Sequence, residues 1–599
     1  MTYTPRYTNL VTLLDQSVRR FGHKPLFGTR SDGNWYWCTY KAFQDQVVQL
    51  SAGLASLGVQ RGDRVAVISN NRLEWAVGAH ACYRIGAAYT PMYDVQALDE
   101  WAFILNDSGA KVCFAATAAI RDSVQTRRDQ LATLEHVICF DDSSYPELLA
   151  KGRQHPVDPQ LPPDDTMAAL IYTSGTTGRP KGVMLTHRNL ASNASACLEA
   201  APFKGEERSL AFLPWAHVFG GALELNALMA YGASIAICGD SKNLLEYLPE
   251  VQPTLLFAVP RVWNRVYAAV HSQIEGQPKP VQLLFKHGLQ ATTKARRGER
   301  LSLREQAVAR LADKLVFSKV INRFGGRLRF AFSGAAALSP EVARFIDCLG
   351  VAVYEGYGLT ETCAGTTANI ERRFGSVGKP MPGISIRIDE SVESMDPGEG
   401  EIIVYGDGVM SGYYNLEDET RQQMTADGGL RTGDLGRLDA DGYLYITGRV
   451  KELFKLENGK YVAPAPLEEQ LQLSPYISQC VVYGADRPHL VALIIPDMDA
   501  LRTWAEGLGL PHRDDDRLLN QPETRALFLD QLQNQSARFK GYERIRNFIL
   551  RSEELSINNG MLTPSLKVKR RIVLARYGEQ LDDLYKAPVE QMPASQATA

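Results

Sequence analysis

Along the first 160 residues, apolar and polar residues follow two patterns, one typical of helices and one typical of strands. Residues 40–59 carry apolar side chains at the spacing of an amphipathic helix, whereas residues 64–70 form a short apolar run of strand length. Residues 74–92 combine a buried helix with a following strand. Further buried strands are predicted at 111–116, 136–140, 209–214, 254–260 and 328–334. This alternation predicts a parallel, doubly wound α/β sheet.

The pattern changes twice towards the C-terminus. Short strands and Gly-rich turns, such as EIIVYGDG and GYLYITG, predict a small β-rich subdomain at 376–448, and an α/β pattern returns after it. A chain of 599 residues is too long for one hydrophobic core. We therefore expect a large N-terminal domain (1–449, including the subdomain), a smaller mobile α/β C-terminal domain (450–586) and a disordered tail (587–599).

Composition excludes several classes of protein. The net charge of −3 gives no case for nucleic-acid binding. The nine cysteines form no CxxC pair, so neither a zinc ribbon nor a dithiol redox motif is indicated. The N-terminal segment lacks the apolar core of a signal peptide, and no apolar run has the length of a membrane span. We expect a cytoplasmic protein with reduced thiols.

Two charged segments are expected to be exposed to solvent. The basic stretch 286–304 is typical of a solvated helix or loop face, with contact to a membrane surface as the alternative. The stretch HRDDDR (512–517) indicates an exposed insertion within 500–540. A peripheral position on the inner membrane face therefore stays open, as does the oligomeric state, with a homodimer as one option.

The segment YTSGTTGRPKG (172–182) interrupts two apolar, strand-like runs. Pro180 and the strand that follows distinguish it from the GxxxxGK[ST] loop, which leads into a helix. Glycines let backbone N–H groups approach anionic oxygens, and hydroxyl and lysine side chains add donors and charge. These groups are Thr173, Ser174, Gly175, Thr176, Thr177, Gly178 and Lys181. The segment predicts a hairpin that wraps a polyphosphate; a simple flexible turn is the alternative.

The same segment resembles the signature of the acyl-adenylate-forming superfamily, which includes acyl-CoA synthetases, firefly-type luciferases and peptide-synthetase adenylation domains. Further motifs follow in the family order, from about residue 10 to 580: LPWAHVFG, FAVPRVW, FSGAAAL, YEGYGLTET, RTGDLGRLDADGYLYITGR, KLENGKYVAP and LTPSLKVKRR. The combination of HVFG, PRVW and LENGKYVAP is most similar to long-chain fatty acid:CoA ligases.

The resemblance implies a two-step reaction. A fatty carboxylate attacks the α-phosphate of ATP and releases pyrophosphate, and CoA then takes the acyl group and releases AMP. The first step brings anions together and needs Mg²⁺ and cations. The resemblance assigns the 173–181 segment to the β- and γ-phosphates and Glu361 to Mg²⁺, for which a carboxylate oxygen is suited. It places Thr360 against the α-phosphate or the acyl carbonyl.

The resemblance also implies the nucleotide contacts. Tyr357, followed by Gly358, would stack on adenine, with Gly334, Ala335 and Ala336 as the opposite wall. Core packing is the alternative for the tyrosine. Asp434 and Arg449 would bind the ribose, although an Asp in a TGD turn can bond its own backbone.

Lys567 is implied as the catalytic lysine, which contacts the α-phosphate and the carboxylate. Most relatives have a glycine directly before this lysine, whereas this chain has leucine in TPSLK. The register is therefore open, and Lys569 is the alternative.

The acyl site is implied by PWAHVFG. His217 would lie near the fatty carboxylate, with Trp215, Val218, Phe219 and Gly220 along the acyl pocket; core packing is the alternative for His217 and Trp215. An apolar lining favours a hydrocarbon tail, because each buried methylene contributes about 0.8 kcal/mol.

A domain rotation between the two half-reactions is also implied. Lys451 matches the hinge, and the rotated C-terminal domain would present Lys455 and Gly459 to CoA. Turn formation is an equal alternative for Gly459.

The sequence leads to three alternative functions. The first is an AMP-forming long-chain fatty acid:CoA ligase with fatty acid, ATP and CoA as partners and Mg²⁺ as cofactor. The second is an acyl-AMP ligase that transfers the acyl group to a carrier-protein thiol. The third is a non-catalytic binding relative, which the presence of Lys181, Glu361, Asp434 and the C-terminal lysine disfavours.

Overall fold

A computed structural model of the protein describes residues 3–158, 161–174, 179–201, 203, 206–392, 396–563 and 565–586. The predictions for Gly175, Thr176, Thr177 and Gly178, for the Ser174 side chain and for the tail 587–599 lie outside the described residues.

The strands follow the chain in this order: β1 (Pro25–Ser31), β2 (Asn34–Thr39), β3 (Arg64–Ile68), β4 (Ala88–Met92), β5 (Val112–Ala115), β6 (His136–Cys139), β7 (Met167–Ser174), β8 (Pro180–Thr186), β9 (Arg208–Ala211), β10 (Ser234–Ile237), β11 (Leu255–Ala258), β12 (Phe330–Ser333), β13 (Ala352–Tyr357), β14 (Thr367–Ala368), β15 (Lys379–Pro380), β16 (Ile384–Asp389), β17 (Gly400–Gly406), β18 (Gly412–Tyr413), β19 (Leu430–Leu438), β20 (Leu444–Arg449), β21 (Phe454–Lys455), β22 (Tyr461–Val462), β23 (Ile477–Tyr483), β24 (Leu490–Pro496) and β25 (Ile545–Leu550).

The α-helices are α1 (Leu10–Phe21), α2 (Tyr40–Ser56), α3 (Leu73–Ile85), α4 (Leu98–Ser108), α5 (Ala118–Gln125), α6 (Ser144–Gln154), α7 (His187–Ala200), α8 (Leu225–Tyr231), α9 (Leu244–Val251), α10 (Pro260–Glu275), α11 (Lys279–Arg296), α12 (Leu303–Ala312), α13 (Ser318–Arg323), α14 (Pro340–Cys348), α15 (Glu417–Gln423), α16 (Pro464–Leu471), α17 (Met498–Gly507), α18 (Asp515–Leu519), α19 (Pro522–Gln535) and α20 (Arg570–Asp583). None of these described helices combines the length and the apolar character that a membrane span requires.

Two large sheets build the N-terminal part of the chain. One has the strand order β15-β14-β13-β12-β11-β9-β10-β1-β2, and the other β18-β8-β7-β4-β3-β5-β6. Their central strands run parallel and are buried. Burial on both faces explains why these strands appear as continuous apolar runs in the sequence. The predicted strands and helices of the first 160 residues are confirmed.

A smaller antiparallel sheet, β16-β17-β19-β20, follows these two. β16 alternates between partly buried and exposed residues, as expected for a sheet with one face in water. β18 lies in the same stretch of chain but pairs with β8 of the second large sheet.

The C-terminal part has its own sheet, β23-β24-β25, with its own hydrophobic cores. Helices α17 to α19 belong to it: Leu501, Leu518 and Phe528 are buried in one of these cores. The 500–540 stretch is therefore an integral part of that fold, and its charged 512–517 segment is largely exposed. Together these features confirm the predicted α/β fold class.

The C-terminal part docks against the N-terminal part at several points. Leu473 packs into a hydrophobic cluster formed otherwise by N-terminal residues. Lys540 lies 3.3 Å from Asp396 in an ion pair. A Cβ atom added to Gly448 would lie 2.8 Å from the Cβ of Ala463, so glycine permits this close approach. These contacts fix the relation between the two parts in which the site is formed.

Candidate functional site

The predicted hairpin is confirmed as β7 and β8, an antiparallel pair in which Thr173 lies opposite Lys181, and its contact with phosphate stays a prediction. The Nζ atom of Lys181 lies 5.2 Å from the centre of the Tyr413 ring, a cation–π distance. Since Tyr413 belongs to β18, the next strand of this sheet, the sheet itself brings this aromatic ring under the lysine.

Glu361 lies in a 3₁₀ turn, Thr360–Thr362, that follows strand β13. The hydroxyl of Tyr413 donates a hydrogen bond of 2.8 Å to Oε1 of Glu361. Thr360 beside it is 8% exposed. Tyr413 therefore contacts Glu361 through its hydroxyl and Lys181 through its ring.

Gly358 is required by packing. A Cβ atom at this position would lie 1.8 Å from the carbonyl oxygen of Ala364, so no larger residue fits without a backbone shift. The glycine lets the chain turn tightly after β13, and this turn sets the position of Thr360 and Glu361.

Tyr357, Asp434 and Arg449 form one connected group. Asp434 on β19 is directly opposite Arg449 on β20, and the Arg449 Nε atom lies 3.0 Å from Oδ1 of Asp434. The Tyr357 hydroxyl donates a 2.7 Å hydrogen bond to Oδ2 of the same carboxylate. Burial raises the pKa of Asp434 above its ordinary value, while the charge of Arg449 and the tyrosine hydrogen bond oppose that rise.

The predicted adenine wall is the turn that follows β12. Gly334 is buried, whereas Ala335 and Ala336 are exposed and available for contact. Ala335 has φ +70°, a left-handed conformation that turns the backbone sharply there. A Cβ atom on Gly334 would lie 3.2 Å from the Phe219 ring, which places the predicted acyl segment next to this turn.

Lys567 precedes helix α20 in the C-terminal part, within electrostatic reach of Arg449, Asp434 and Glu361 of the N-terminal part. Its backbone N–H donates to Thr563 Oγ1 at 3.0 Å, and its carbonyl accepts from the Thr563 N–H at 2.8 Å. Although Lys567 is exposed by its surface area, the surrounding protein desolvates its ammonium group and lowers its pKa, as does the charge of Arg449. The carboxylates of Asp434, Glu361 and Glu452 oppose that shift.

Lys569, the alternative, has a different place. It immediately precedes α20, and its backbone N–H donates to the carbonyl of Met561 at 2.8 Å. Lys567 is thus the lysine whose ammonium group interacts with Asp434 and Glu361.

Leu566 stands at the position where most relatives have a glycine, and it adopts the backbone conformation that a glycine would favour. Its φ is +62°, a left-handed conformation that glycine adopts without strain and that costs an L-residue roughly 1–2 kcal/mol. The backbone before Lys567 therefore keeps the shape that a glycine would favour, and leucine occupies it with strain.

In the predicted acyl segment PWAHVFG, some residues lie near the candidate site and others lie in the hydrophobic core. The Nδ1 atom of His217 accepts a hydrogen bond from the Phe219 N–H at 3.2 Å. Burial, together with the charge of Lys567, lowers the pKa of His217 to about 4, so the imidazole is neutral at physiological pH. His217 thus lies within the electrostatic influence of the candidate catalytic lysine.

Trp215 lies in the core. It is 1% exposed and packs against Phe27 and Trp75, with ring centres 5.9 and 5.6 Å away. Val218 and Gly220 are also buried, and a Cβ atom on Gly220 would lie 2.8 Å from the Pro214 carbonyl oxygen. The core-packing alternative describes the surroundings of Trp215; its role in an acyl pocket stays a prediction.

The predicted hinge and CoA-side residues are exposed at the surface. Lys451 is exposed in the turn after β20. Lys455 is exposed on β21, with its Nζ atom 5.1 Å from the Tyr461 ring centre. Gly459 has φ +81° in the turn to β22, which accounts for glycine there in terms of turn geometry alone. Their roles stay predictions.

The donor set fits Mg²⁺ held jointly with a nucleotide. Among the described residues no group of three or more His, Cys, Asp or Glu side chains could hold a metal by itself. Mg²⁺ commonly takes one or two carboxylates and completes its shell with phosphate oxygens and water. Glu361, partly exposed and hydrogen-bonded by Tyr413, is suited to supply such a carboxylate.

Comparison with known proteins agrees with this geometry. Residues 14–414 match the family described as AMP-binding enzyme, and residues 451–588 match the AMP-binding enzyme C-terminal domain. The chain belongs to the AMP-binding enzyme family.

Two curated relatives of this AMP-binding enzyme are similar over nearly its whole length. The peroxisomal long chain acyl-CoA synthetase 6 of Arabidopsis thaliana is 31% identical over 97% of this chain and 87% of the relative. The long-chain-fatty-acid–CoA ligase FadD15 of Mycobacterium bovis is 35% identical over 92% of this chain and 93% of the relative. The solved adenylation domain of a carboxylate reductase from Mycobacterium chelonae shares the fold, with TM-score 0.78 and 24% identity over 97% of this chain and 91% of that one.

Two residues of the AMP-binding enzyme's site were not predicted from the sequence. Tyr413 bonds Glu361, and the charge of Glu452 acts on Lys567, Arg449 and Asp434. Glu452 could have been suspected from its position three residues after Arg449. Tyr413 carries no comparable signal, because only the pairing of β18 with β8 brings it to the hairpin.

Proposed function

We propose that this AMP-binding enzyme is an ATP-dependent long-chain fatty acid:CoA ligase. It activates a long-chain fatty acid through an acyl-AMP intermediate, releases pyrophosphate, and transfers the acyl group to CoA with release of AMP. Its relatives named long-chain acyl-CoA synthetase or ligase cover almost the whole chain, which supports this reaction.

The observation that carries the site assignment is that three distant segments lie close enough for their charges to interact. The charge of Lys567, from the C-terminal part, interacts with those of Asp434, from β19, and Glu361, from the turn after β13. Adenylation needs positive charge at the α-phosphate and the attacking carboxylate, and a lysine that reaches both supplies it. Lys567 takes this role in the proposal.

The other residues of the proposed site bind the remaining parts of the nucleotide. Asp434, held by Tyr357 and Arg449, accepts the ribose hydroxyls, and the 334–336 turn with Tyr357 encloses adenine. Lys181 and the hairpin contact the β- and γ-phosphates. Glu361 would hold Mg²⁺, which supplies positive charge to the phosphate oxygens when bound.

The acyl side begins at His217. As a neutral imidazole with Nδ1 accepting from the Phe219 N–H, it carries its proton on Nε2 and can donate a hydrogen bond to the carboxylate. Val218, Phe219 and Gly220 continue towards the apolar interior, where a hydrocarbon tail would be buried. Trp215 acts through the packing of that interior.

The proposal includes a rotation of the C-terminal domain about Lys451 after adenylation, with a boundary at 449/450. The arrangement described here suits the first half-reaction, because the charge of Lys567 interacts with Asp434 and Glu361 while Lys455 and Gly459 lie on the exposed β21–β22 hairpin. Rotation would exchange the two faces. A cytoplasmic location remains part of the proposal.

The test is pyrophosphate release with Mg-ATP and straight-chain acids from acetate to C18, with and without CoA. The proposal predicts release that rises with chain length, and acyl-CoA and AMP as products when CoA is added. Acyl-AMP formation without any CoA product would instead indicate a carrier-protein ligase. No release with any acid from folded protein would refute both enzyme functions.

A further inference from the structure

Tyr413 connects the two groups that would face the triphosphate. Its hydroxyl donates to Oε1 of Glu361 at 2.8 Å, and its ring lies 5.2 Å from the Nζ atom of Lys181. The residue is only 7% exposed, so the ring has little freedom to move. One side chain thus touches both the candidate metal ligand and the candidate phosphate lysine.

The backbone around Tyr413 is held on both sides. The Ser411 and Tyr414 N–H groups donate to the carbonyls of Met184 and Gly182 on β8, at 3.0 and 2.8 Å. The Met410 N–H donates to the Glu361 carbonyl at 2.9 Å. The 410–414 segment therefore links the phosphate hairpin to the Glu361 turn.

The preceding residues are fixed as well. Asn189, in the first turn of α7, donates through Nδ2 to the carbonyls of Asp407 and Val409 at 2.7 and 2.9 Å. The Tyr413 N–H in turn donates to Thr420 Oγ1 at 2.8 Å. With its neighbours anchored, the hydroxyl of Tyr413 has a defined direction towards Glu361.

We propose that Tyr413 is a positioning residue for Mg-ATP: its hydroxyl orients the Glu361 carboxylate towards the metal, and its ring holds Lys181 over the phosphates. The inference rests on the proposed function of Glu361 and Lys181. A hydrogen bond to one carboxylate oxygen restricts rotation of the group and leaves the second oxygen free for a cation. Loss of such an outer partner typically lowers metal affinity about 10- to 100-fold.

The test compares Tyr413→Phe with wild type and with Tyr414→Phe. Tyr413→Phe keeps the ring and removes the hydroxyl. Tyr414 is matched as a control, because it is the adjacent tyrosine and its ring lies 6.0 Å from the Arg64 guanidinium carbon, away from Glu361. The first measurement is Mn²⁺ binding, followed by electron paramagnetic resonance, to protein saturated with an ATP analogue that carries a methylene bridge between the α- and β-phosphates.

We expect about tenfold weaker Mn²⁺ binding for Tyr413→Phe, a similar rise in the Mg²⁺ concentration that gives half-maximal pyrophosphate release, and no change for Tyr414→Phe. Conversion of synthetic acyl-AMP and CoA to acyl-CoA should stay within about twofold of wild type, since that step does not use the triphosphate. Tyr413→Leu, which also removes the ring, should further raise the KM for ATP through Lys181.

Wild-type Mn²⁺ affinity in Tyr413→Phe would overturn the inference, as would an equal loss in both half-reactions, which would mark a purely structural residue. The outcome is separable from that of the proposed function. A wild-type protein that releases no pyrophosphate would refute the ligase assignment, while the comparison of Mn²⁺ affinities would still decide the role of Tyr413.

Discussion

The hydroxyl of Tyr357 donates a 2.7 Å hydrogen bond to Asp434, a carboxylate that is 2% exposed and 3.0 Å from the Arg449 Nε atom. The predicted adenine contact thus also orients the predicted ribose contact. In the proposed site, this single hydrogen bond would couple recognition of the two halves of the nucleoside.

Removal of this hydrogen bond should weaken ATP binding. We expect Tyr357→Phe to raise the KM for ATP about tenfold, because a hydrogen bond to a charged group contributes about 1.5–3 kcal/mol, and to change the KM for fatty acid little. Steady-state kinetics with each substrate varied in turn measures this. Tyr354→Phe, on the same strand, is the control; an unchanged KM for ATP in Tyr357→Phe would contradict the coupling.

Substitution of the two candidate lysines should have clearly different effects on activity. Lys567→Ala should slow pyrophosphate release about 100- to 1000-fold, the usual effect of losing one charge-stabilising donor in an active site. Lys569→Ala should have little effect, because that residue's described contact is made by its backbone. Single-turnover acyl-AMP formation measures the step directly. A larger loss in Lys569→Ala than in Lys567→Ala would reverse the assignment.

The strained backbone before Lys567 gives a local stability prediction. At φ +62°, Leu566→Gly should stabilise the 561–570 segment by about 1 kcal/mol relative to Leu566→Ala, which retains a Cβ atom. Amide hydrogen exchange of peptides from this segment should be about fivefold slower in the glycine variant. Equal exchange in the two variants would show that the conformation carries no strain.

Glu224 should make the stability of the fold depend on pH. Its carboxyl group is fully buried, accepts a 2.6 Å hydrogen bond from Ser209, and has its pKa raised by burial to about 8. The native state therefore holds a proton that the unfolded state releases above about pH 4.5, so this contribution to stability falls as the pH rises from about 4.5 to 8.

Glu224→Gln keeps a hydrogen-bond acceptor and removes that titration. The stability of the variant relative to wild type should increase by about 2 kcal/mol between pH 5.5 and 7.5, measured by denaturant unfolding followed by tryptophan fluorescence. The exposed Glu417→Gln serves as the control. A difference that does not change with pH would show that Glu224 ionises in the native state.

Local patterns predicted much of this architecture. Helix α2 begins where Thr39 caps it, with the threonine side chain accepting from the Ala42 N–H, and its apolar spacing was visible in the sequence. The hairpin at 172–182 could be predicted because Pro180 and the apolar run after it favour a strand over a helix. Both signals lie within one short segment.

The missed features depend on pairings between distant segments. Tyr413 reaches Lys181 only because β18 joins β8 across more than 200 intervening residues, which no local pattern encodes. The sequence left Trp215 open between the acyl pocket and the core, and only coordinates show that its ring packs against Phe27 and Trp75, which lie far away in the sequence. The absence of a glycine before Lys567 was visible in the sequence, but the left-handed backbone conformation of Leu566 required coordinates.

In the proposed reaction, a fatty carboxylate attacks the α-phosphate of ATP, and CoA then displaces AMP. Transfer of ¹⁸O from a long-chain fatty acid labelled in both carboxyl oxygens tests this sequence of steps. AMP should carry one ¹⁸O atom in its phosphate and acyl-CoA should retain the other, with unlabelled pyrophosphate. Unlabelled AMP, or ¹⁸O in pyrophosphate or free phosphate, would contradict an acyl-AMP intermediate.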